Sequence, residues 1–300
     1  MKQNKSQIRR IRAPHLEERV FPRAMITPTL LVLLVMTAYP LIFTLVFSFT
    51  DYNYLKGVEN AKFIQFQNYA SLFKNGYFRQ ALVNTVKFTV FAVLLEMLFG
   101  LLVALFVQSM RRGRKVMRTL LLLPYLLPTV TVALSWRMML SVNYGIVNQF
   151  LTSLGLPVYN WFMDTKTAFG TILVIDVWQN VPFVFLLLYA ALQSVPEDLY
   201  EAARIDGAGY VQQFIYVTFP HLRTSLALCA LMRSIDTFRL FEKVNILTGG
   251  GPAGTTSTIT QFLYTYGISN LKFGFGSAGA VVMTILVLLL SGVYIRRAMK

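Results

Sequence analysis

The sequence predicts an all-α membrane protein with six transmembrane helices and both termini in the cytoplasm. Charged residues make up only 14% of the 300 residues, whereas soluble domains carry about 25%. The apolar residues are concentrated in blocks about as long as a bilayer-spanning helix, roughly 20 residues. Lys and Arg lie mostly in alternate connecting segments. A soluble protein with one very large core is the alternative, and the block lengths disfavour it.

Six continuous apolar blocks define the predicted spans. They are not ten-residue stretches of alternating polarity, which disfavours a β-barrel, and helices satisfy their own backbone groups in lipid. The spans cover residues 24–49, 84–109, 119–141, 168–193, 224–243 and 276–295. A basic N-terminal segment (1–23) precedes the membrane domain (24–295), and a short tail (296–300) follows it. Four prolines lie inside the blocks: Pro40, Pro124, Pro128 and Pro182.

The distribution of positive charge predicts the orientation. With the N-terminus inside, 17 of the 28 Lys and Arg residues lie in cytoplasmic segments and 6 in external ones. By the positive-inside rule, both termini are cytoplasmic. The net charge of +15 therefore predicts contact with anionic lipid head groups and does not indicate a nucleic-acid partner.

The sequence lacks the residue patterns of a disulfide framework, a metal site, a phosphate-binding loop and an enzyme active site. The single Cys229 excludes an internal disulfide, and His15 and His221 stand apart from any ligand cluster, so no metal site is expected. The run LTGGGPAGTT (247–256) lacks the lysine of a phosphate loop and predicts a tight external turn. No catalytic constellation is present, so the chain is expected to be neither an enzyme nor the holder of a cofactor.

The connection 194–223 is unusually polar for its position between two spans. Ser194 and Glu197 fit a capping box at the start of a short helix, which Gly207 would stop near residue 205. Glu201 and Arg204, three residues apart, are placed to pair on its surface. The residues alone leave two interpretations open: a compact peg that lies in another protein's groove, or a solvated connector.

A second short helix is predicted in the same connection. An amphipathic pattern runs from Tyr210 to Phe219, and Pro220 is expected to end it.

The motif EAARIDG, followed by nine residues and then VTFP, resembles the EAA loop of ATP-binding-cassette importer permeases. Val217 and Phe219 replace the family's Ile and Leu conservatively. The matching positions are Glu201, Ala202, Ala203, Gly207 and Pro220. In this family the loop docks into a cleft of the ATPase, which implies a coupling role for Glu201, Ala202, Ala203, Asp206, Gly207 and Pro220. Glu201 would be the charged contact, the alanines would permit close approach, and Gly207 would supply the bend.

Four further segments resemble the carbohydrate-uptake subfamily, close to the larger maltose-type permease partner. They are FIQFQNYASLF (63–73), NYGIVNQFL (143–151), DVWQNVPF (176–183) and ILTGGGPAGTTST (246–258). The resemblance covers roughly residues 25–295. It implies a bacterial inner-membrane subunit that imports a sugar, oligosaccharide or polyol by alternating access. It also implies three kinds of partner: a second homologous permease, two ATPase subunits that bind ATP and Mg, and an external solute-binding protein.

The fifth span carries the candidate substrate pathway. Arg233, Asp236, Arg239 and Glu242 recur every three residues, which predicts either a buried ion-pair ladder or one wall of a water-filled cavity. The resemblance favours the cavity, because the family's substrate contacts lie just before the TGGGP turn. The candidate residues are Trp178, Gln179, Asn180, Phe183, Arg233, Asp236, Thr237 and Arg239. Trp178 fits core packing equally well.

Two other functions remain as alternatives. A proton-coupled secondary transporter would use Glu96, Asp176 and Asp236 as a relay, but the halves show no convincing inverted repeat, and the EAA motif stays unexplained. A glycerol-phosphate-type importer would suit the arginines of the fifth span, although their expected pairing weakens that argument. The sequence assigns no role to Glu96, Asp176 or Arg137.

Overall fold

The chain is almost entirely helical in the computed structural model, which describes the backbone of residues 14–298 and the side chains of residues 25–296. The predicted basic segment 1–23 and the end of the tail lie outside the described side chains. The α-helices are α1 (Pro14–Phe47), α2 (Gln67–Lys74), α3 (Gly76–Ser109), α4 (Arg114–Leu126), α5 (Thr129–Met139), α6 (Ile146–Ser153), α7 (Ala168–Gln193), α8 (Glu197–Ile205), α9 (Tyr210–Gln213), α10 (Phe219–Phe238), α11 (Glu242–Leu247), α12 (Ile259–Leu263) and α13 (Phe273–Ala298).

The all-α prediction is confirmed. Among the described residues, five continuous helices are long and apolar enough to cross a bilayer, and a bent pair, α4 with α5, makes a sixth candidate. Within the described part of the chain, the β pairing amounts to one isolated bridge between Thr50 and Phe63.

The residues of the predicted third span form two helices instead of one. α4 and α5 meet at 89° because Pro128 has no backbone N–H and forces the preceding residue out of the helical region. Leu127 is accordingly extended, with ψ 137°. Gln179 of α7 donates from Nε2 to the Leu127 carbonyl at 3.1 Å. This contact satisfies a carbonyl that the break removes from the helix ladder.

The centre of the bundle is the packing of α3 against α7, and α10 packs against both. Gly100 of α3 permits the close approach: a Cβ atom there would lie 2.4 Å from Val184 Cγ1. Phe185 and Leu188 of α7 are fully buried in the same core. α1 lies outside this centre, packs against α13, and exposes its apolar side chains. The three central helices therefore position whatever polar groups lie between them.

The first helix of the connection 194–223 is confirmed, but two details of its prediction are wrong. α8 ends at Ile205 and Gly207 follows with φ +77°. The capping box is absent because Pro196 occupies the N-cap, and the Ser194 hydroxyl donates backwards to the Ala191 carbonyl at 2.7 Å. The expected Glu201–Arg204 pair is also absent, since Arg204 Nε donates to the Tyr200 carbonyl at 3.2 Å.

The prediction that Pro220 ends the second helix is wrong. Helix runs without interruption from Tyr210 to Phe238. The segment Phe214–Thr218 is a π-helical turn directly before the proline. Such a wider turn accommodates a residue without an N–H, so the chain continues into α10 instead of stopping. The connection is thus joined rigidly to the fifth membrane helix.

We expect Gly207→Ala to loosen the junction after α8. A Cβ at Gly207 meets nothing within 4 Å, so the penalty comes from the left-handed backbone alone, about 1–2 kcal/mol. Amide hydrogen exchange over residues 197–213 should therefore accelerate by roughly tenfold. Gly209→Ala is the matched control, because Gly209 has φ −71° and also has room. Equal acceleration in both variants would contradict the assignment.

Candidate functional site

A buried ion pair joins α3 to α10. Glu96 is fully buried and Arg233 is 4% exposed. Arg233 donates from Nε to Glu96 Oε2 at 2.7 Å and from Nη2 to Glu96 Oε1 at 3.0 Å. This is the two-pronged geometry in which guanidinium and carboxylate bind most strongly.

A second buried pair joins α7 to α11. Lys243 Nζ lies 2.5 Å from Asp176 Oδ1, and Asn180 donates to the same oxygen at 3.1 Å. Arg233 Nη2 is 3.9 Å from Asp176 Oδ2, so the two pairs form one network, defined here as Glu96, Arg233, Asp176 and Lys243. Sequence reasoning left two of these residues without a role. The signal was present, because a charge inside a membrane span implies a partner, but the partners lie on other helices.

The ladder along the fifth span is a wrong prediction. α10 ends at Phe238, Arg239 is its C-cap residue, and Glu242 begins α11. Of the four charged residues, only Arg233 and Asp236 therefore lie on one helix, where a spacing of three residues brings their side chains to within 3.4 Å.

Beside the network lies a cavity of about 210 Å³. Its charged lining consists of Asp176, Arg233, Asp236, Arg239, Glu242 and Lys243. Its neutral lining includes Tyr125, Thr129, Asn180 and Thr237. The cavity thus gathers five of the predicted substrate-pathway residues: Asn180, Arg233, Asp236, Thr237 and Arg239.

Three carboxylates line this cavity, those of Asp176, Asp236 and Glu242. The Asp236 side chain is 60% exposed, so its carboxylate is placed to accept a hydrogen bond from a ligand hydroxyl. Asp176 is buried, its Oδ2 makes no hydrogen bond within the described part of the chain, and Arg233 Nη2 lies 3.9 Å from that oxygen. Among the residues described, no group of three or more His, Cys, Asp or Glu is arranged to hold a metal ion.

The other three predicted pathway residues lie beside the cavity and do not line it. Trp178 packs edge-on against Trp136 with ring centroids 5.5 Å apart. Gln179 is buried and holds the break between α4 and α5. Phe183 stacks on Tyr125 at 5.3 Å, so it supports a residue that does line the cavity. These positions favour a packing role.

Arg137 also has a structural contact. Its Nη1 donates to the Ile246 carbonyl at 3.0 Å and so links α5 to α11. Together with the Asp176–Lys243 pair, this bond fixes α11 beside the cavity.

The predicted coupling residues lie on a projecting segment. α8 has no buried residue; Glu201, Ala202, Asp206 and Gly207 are exposed, and Ala203 is half-buried. Pro220 is exposed in the first turn of α10.

The same segment exposes large apolar side chains that sequence reasoning missed. Ile205 is 87%, Tyr210 93% and Tyr216 76% exposed. Exposed large apolar side chains on one projecting segment are typical of a protein-binding face. Tyr210 and Tyr216 belong to the amphipathic pattern predicted for residues 210–219, whereas Ile205 is a single apolar residue outside it, and neither signal predicted such high exposure.

We expect Lys243→Met to destabilise the protein by about 3–5 kcal/mol, since it leaves the Asp176 carboxylate buried without its closest cation. Thermal unfolding of the detergent-purified chain measures the loss. The double variant Asp176→Asn/Lys243→Met should recover much of it, because both charges are then gone. Lys62→Met, at an exposed position, is the matched control. A double variant as unstable as the sum of its two single variants would show that the pair is not coupled.

Comparison with known proteins gives concordant matches. The family described as "Binding-protein-dependent transport system inner membrane component" matches residues 96–299. The trehalose/maltose transport system permease protein MalF of Thermococcus litoralis is 36% identical over 273 residues, covering 91% of each chain. The sulfoquinovosyl glycerol transport system permease protein SmoG of Agrobacterium fabrum is 32% identical over 281 residues, covering 94% of this chain and 91% of SmoG.

The fold has a solved counterpart. A chain in the crystal structure of a bacterial ABC transporter involved in the import of the acidic polysaccharide alginate superposes with a TM-score of 0.84. It is 21% identical, and the superposition covers 95% of this chain and 96% of that one. The protein therefore belongs to the family of binding-protein-dependent transport system inner membrane components, and it is a multi-pass permease subunit of the inner membrane.

Proposed function

We propose that this permease moves a neutral carbohydrate or polyol from an external solute-binding protein into the cytoplasm. The observation that carries the proposal is the lining of the cavity. Carboxylates, an amide and hydroxyls surround it, with the Tyr125 ring on one side. A sugar presents a rim of hydroxyls and an apolar face, and this mixture of groups complements both.

The charges of the cavity favour a neutral ligand over a phosphorylated one. Its three cationic and three anionic side chains cancel. Arg233 and Lys243 are already engaged by carboxylates. A phosphate entering the cavity would meet the carboxylates of Asp236 and Glu242, and like charges repel strongly where water is scarce. This balance argues against the glycerol-phosphate alternative.

The relatives support the carbohydrate class. The names of the two permeases compared above include trehalose/maltose and sulfoquinovosyl glycerol. All three compounds are sugars or sugar derivatives, and sulfoquinovosyl glycerol also carries a sulfonate. The relatives therefore support the carbohydrate class, whereas the choice of a neutral ligand rests on the cavity lining alone.

We propose an assembly with partners, which one exposed surface and the family resemblance support. α8 and the apolar side chains of Ile205, Tyr210 and Tyr216 form a face that we assign to a groove of an ATPase subunit. Two such ATPases, which bind the ATP and Mg, would serve this chain and a second homologous permease. Closure of the ATPase pair would pull α8, and the continuous helix from Tyr210 to Phe238 would carry the movement to the cavity. A rigid helix that connects the ATPase pair to the membrane bundle can couple the two, provided that each of them has two stable arrangements.

The transport proposal is tested by uptake into liposomes that contain the full importer. We expect ATP-dependent accumulation of radiolabelled maltose or trehalose but not of sn-glycerol 3-phosphate. Asp236→Asn should raise KM by about tenfold or more with little change in kcat, since it weakens one charged hydrogen bond. Asp164→Asn, at an exposed loop position, is the control. Accumulation of the phosphate ester alone would overturn the assignment of a neutral ligand.

The docking proposal is tested by reversing one charge. Glu201→Lys should leave the protein inserted but reduce transport-coupled ATP hydrolysis by at least tenfold, because it places a cation where the resemblance implies a basic partner. Glu59→Lys makes the same change at an exposed site in a different loop and should be silent. Normal transport by the Glu201 variant would remove the docking assignment.

A further inference from the structure

A cluster of cations occupies the turn between α3 and α4. Arg111, Arg112, Arg114 and Lys115 are all exposed. No Asp or Glu occurs anywhere from residue 97 to residue 163. The ion pairs seen between described residues all lie elsewhere, in the buried network and its contact with Asp236. Among the residues whose side chains are described, no carboxylate therefore lies within ion-pairing distance of this basic turn, defined as residues 111–115.

One of the four cations holds the turn in shape. Arg114 donates from Nη2 to the Gln108 carbonyl at 2.6 Å and from Nε to the Met110 carbonyl. Both carbonyls lie at the end of α3, and Gly113 reverses the chain with φ +78°. The turn is thus a built element, and it presents Arg111, Arg112 and Lys115 around a fixed backbone.

The positive charge of the basic turn and of the α4 N-terminus favours binding of an anion from outside the protein. Helices favour acidic side chains in the first turn, where the dipole is positive. α4 begins instead with Arg114 and Lys115 and has no acidic residue in that turn. Each additional cation raises the repulsion, and a bound anion relieves it.

An apolar stripe runs along α4 directly from the basic turn. Val116, Leu120 and Leu123 are 64%, 56% and 52% exposed. Their spacing of four and three residues places them on one face of the helix. α4 has no buried residue, so this stripe is not covered by the rest of the chain.

We propose that the basic turn and the stripe together bind an anionic phospholipid. The phosphate contacts Arg111, Arg112 and Lys115, and an acyl chain lies along the stripe. Charge complementarity selects the anionic head group. The stripe belongs to the bent pair α4 and α5, a candidate membrane span, so an acyl chain of the surrounding bilayer can lie along it. The site is separate from the cavity and from α8, so it does not depend on the proposed substrate.

The test compares lipids on the purified full chain. In native mass spectrometry from detergent, we expect the wild type to retain phosphatidylglycerol in preference to phosphatidylcholine of the same chain length. The triple variant Arg111→Gln/Arg112→Gln/Lys115→Gln should weaken phosphatidylglycerol binding by about a hundredfold, at about 1 kcal/mol for each cation. The matched control, Lys56→Gln/Lys62→Gln/Arg79→Gln, removes three exposed charges elsewhere and should bind as the wild type does.

Two further arms separate the lipid from other anions. Leu120→Ser/Leu123→Ser should weaken phosphatidylglycerol binding but leave competition by inorganic phosphate unchanged. Complete displacement of the lipid by millimolar phosphate, with no effect of the serine variant, would overturn the lipid assignment. Unchanged lipid affinity in the triple variant, together with lost binding of the ATPase, would identify the turn as a protein contact and would also overturn it. Thermal unfolding in phosphatidylcholine alone checks that each variant is folded.

Discussion

A charge inside a lipid-embedded bundle must find a partner, and this requirement determines how the central helices meet. Glu96, Arg233, Asp176 and Lys243 come from four different helices. The cost of leaving any one unpaired is several kcal/mol, so α3, α7, α10 and α11 have one favourable arrangement around the network. The apolar contacts of the α3–α7 core permit small sliding, whereas the two-pronged Glu96–Arg233 pair does not.

The cavity follows from the same constraint. The carboxylate of Asp236 lies at the edge of the network, where it contacts Arg233 at 3.4 Å and is still 60% exposed. The break at Pro128 brings Thr129 and Tyr125 to the opposite side of the opening. Polar groups are costly in a membrane unless they serve a ligand, a neighbour or water. Here the buried charges stabilise the fold, and the exposed Asp236 faces the cavity.

The sequence predicted the features that depend on local composition. Block lengths gave the helical class, and motif spacing placed α8 and its end near Gly207. The sequence did not predict the features that depend on contacts between distant segments. The partner of Glu96 is 137 positions away, and no periodicity reports such a pairing. The charge ladder, one of two alternatives for the fifth span, does not form because α10 ends at Phe238, before the third of its four charges. The prediction that Pro220 ends a helix failed for a different reason. The π-helical turn at Phe214–Thr218 accommodates the N–H that proline lacks, so the helix continues.

The unbroken helix from Tyr210 to Phe238 has a mechanical consequence. Its 29 residues make a rod of about 43 Å, with the exposed segment at one end and the Arg233 clamp near the other. Because the clamped end resists translation, the rod pivots there, and its free end travels furthest. The lever arm from Arg233 to Tyr210 is about 35 Å, so a tilt of about 10° moves that end by roughly 6 Å while the clamped end stays nearly fixed. Motion applied at the exposed segment therefore reaches the cavity as a small rotation of the helix about Arg233. This rotation reorients Asp236 and leaves the buried Glu96–Arg233 pair intact.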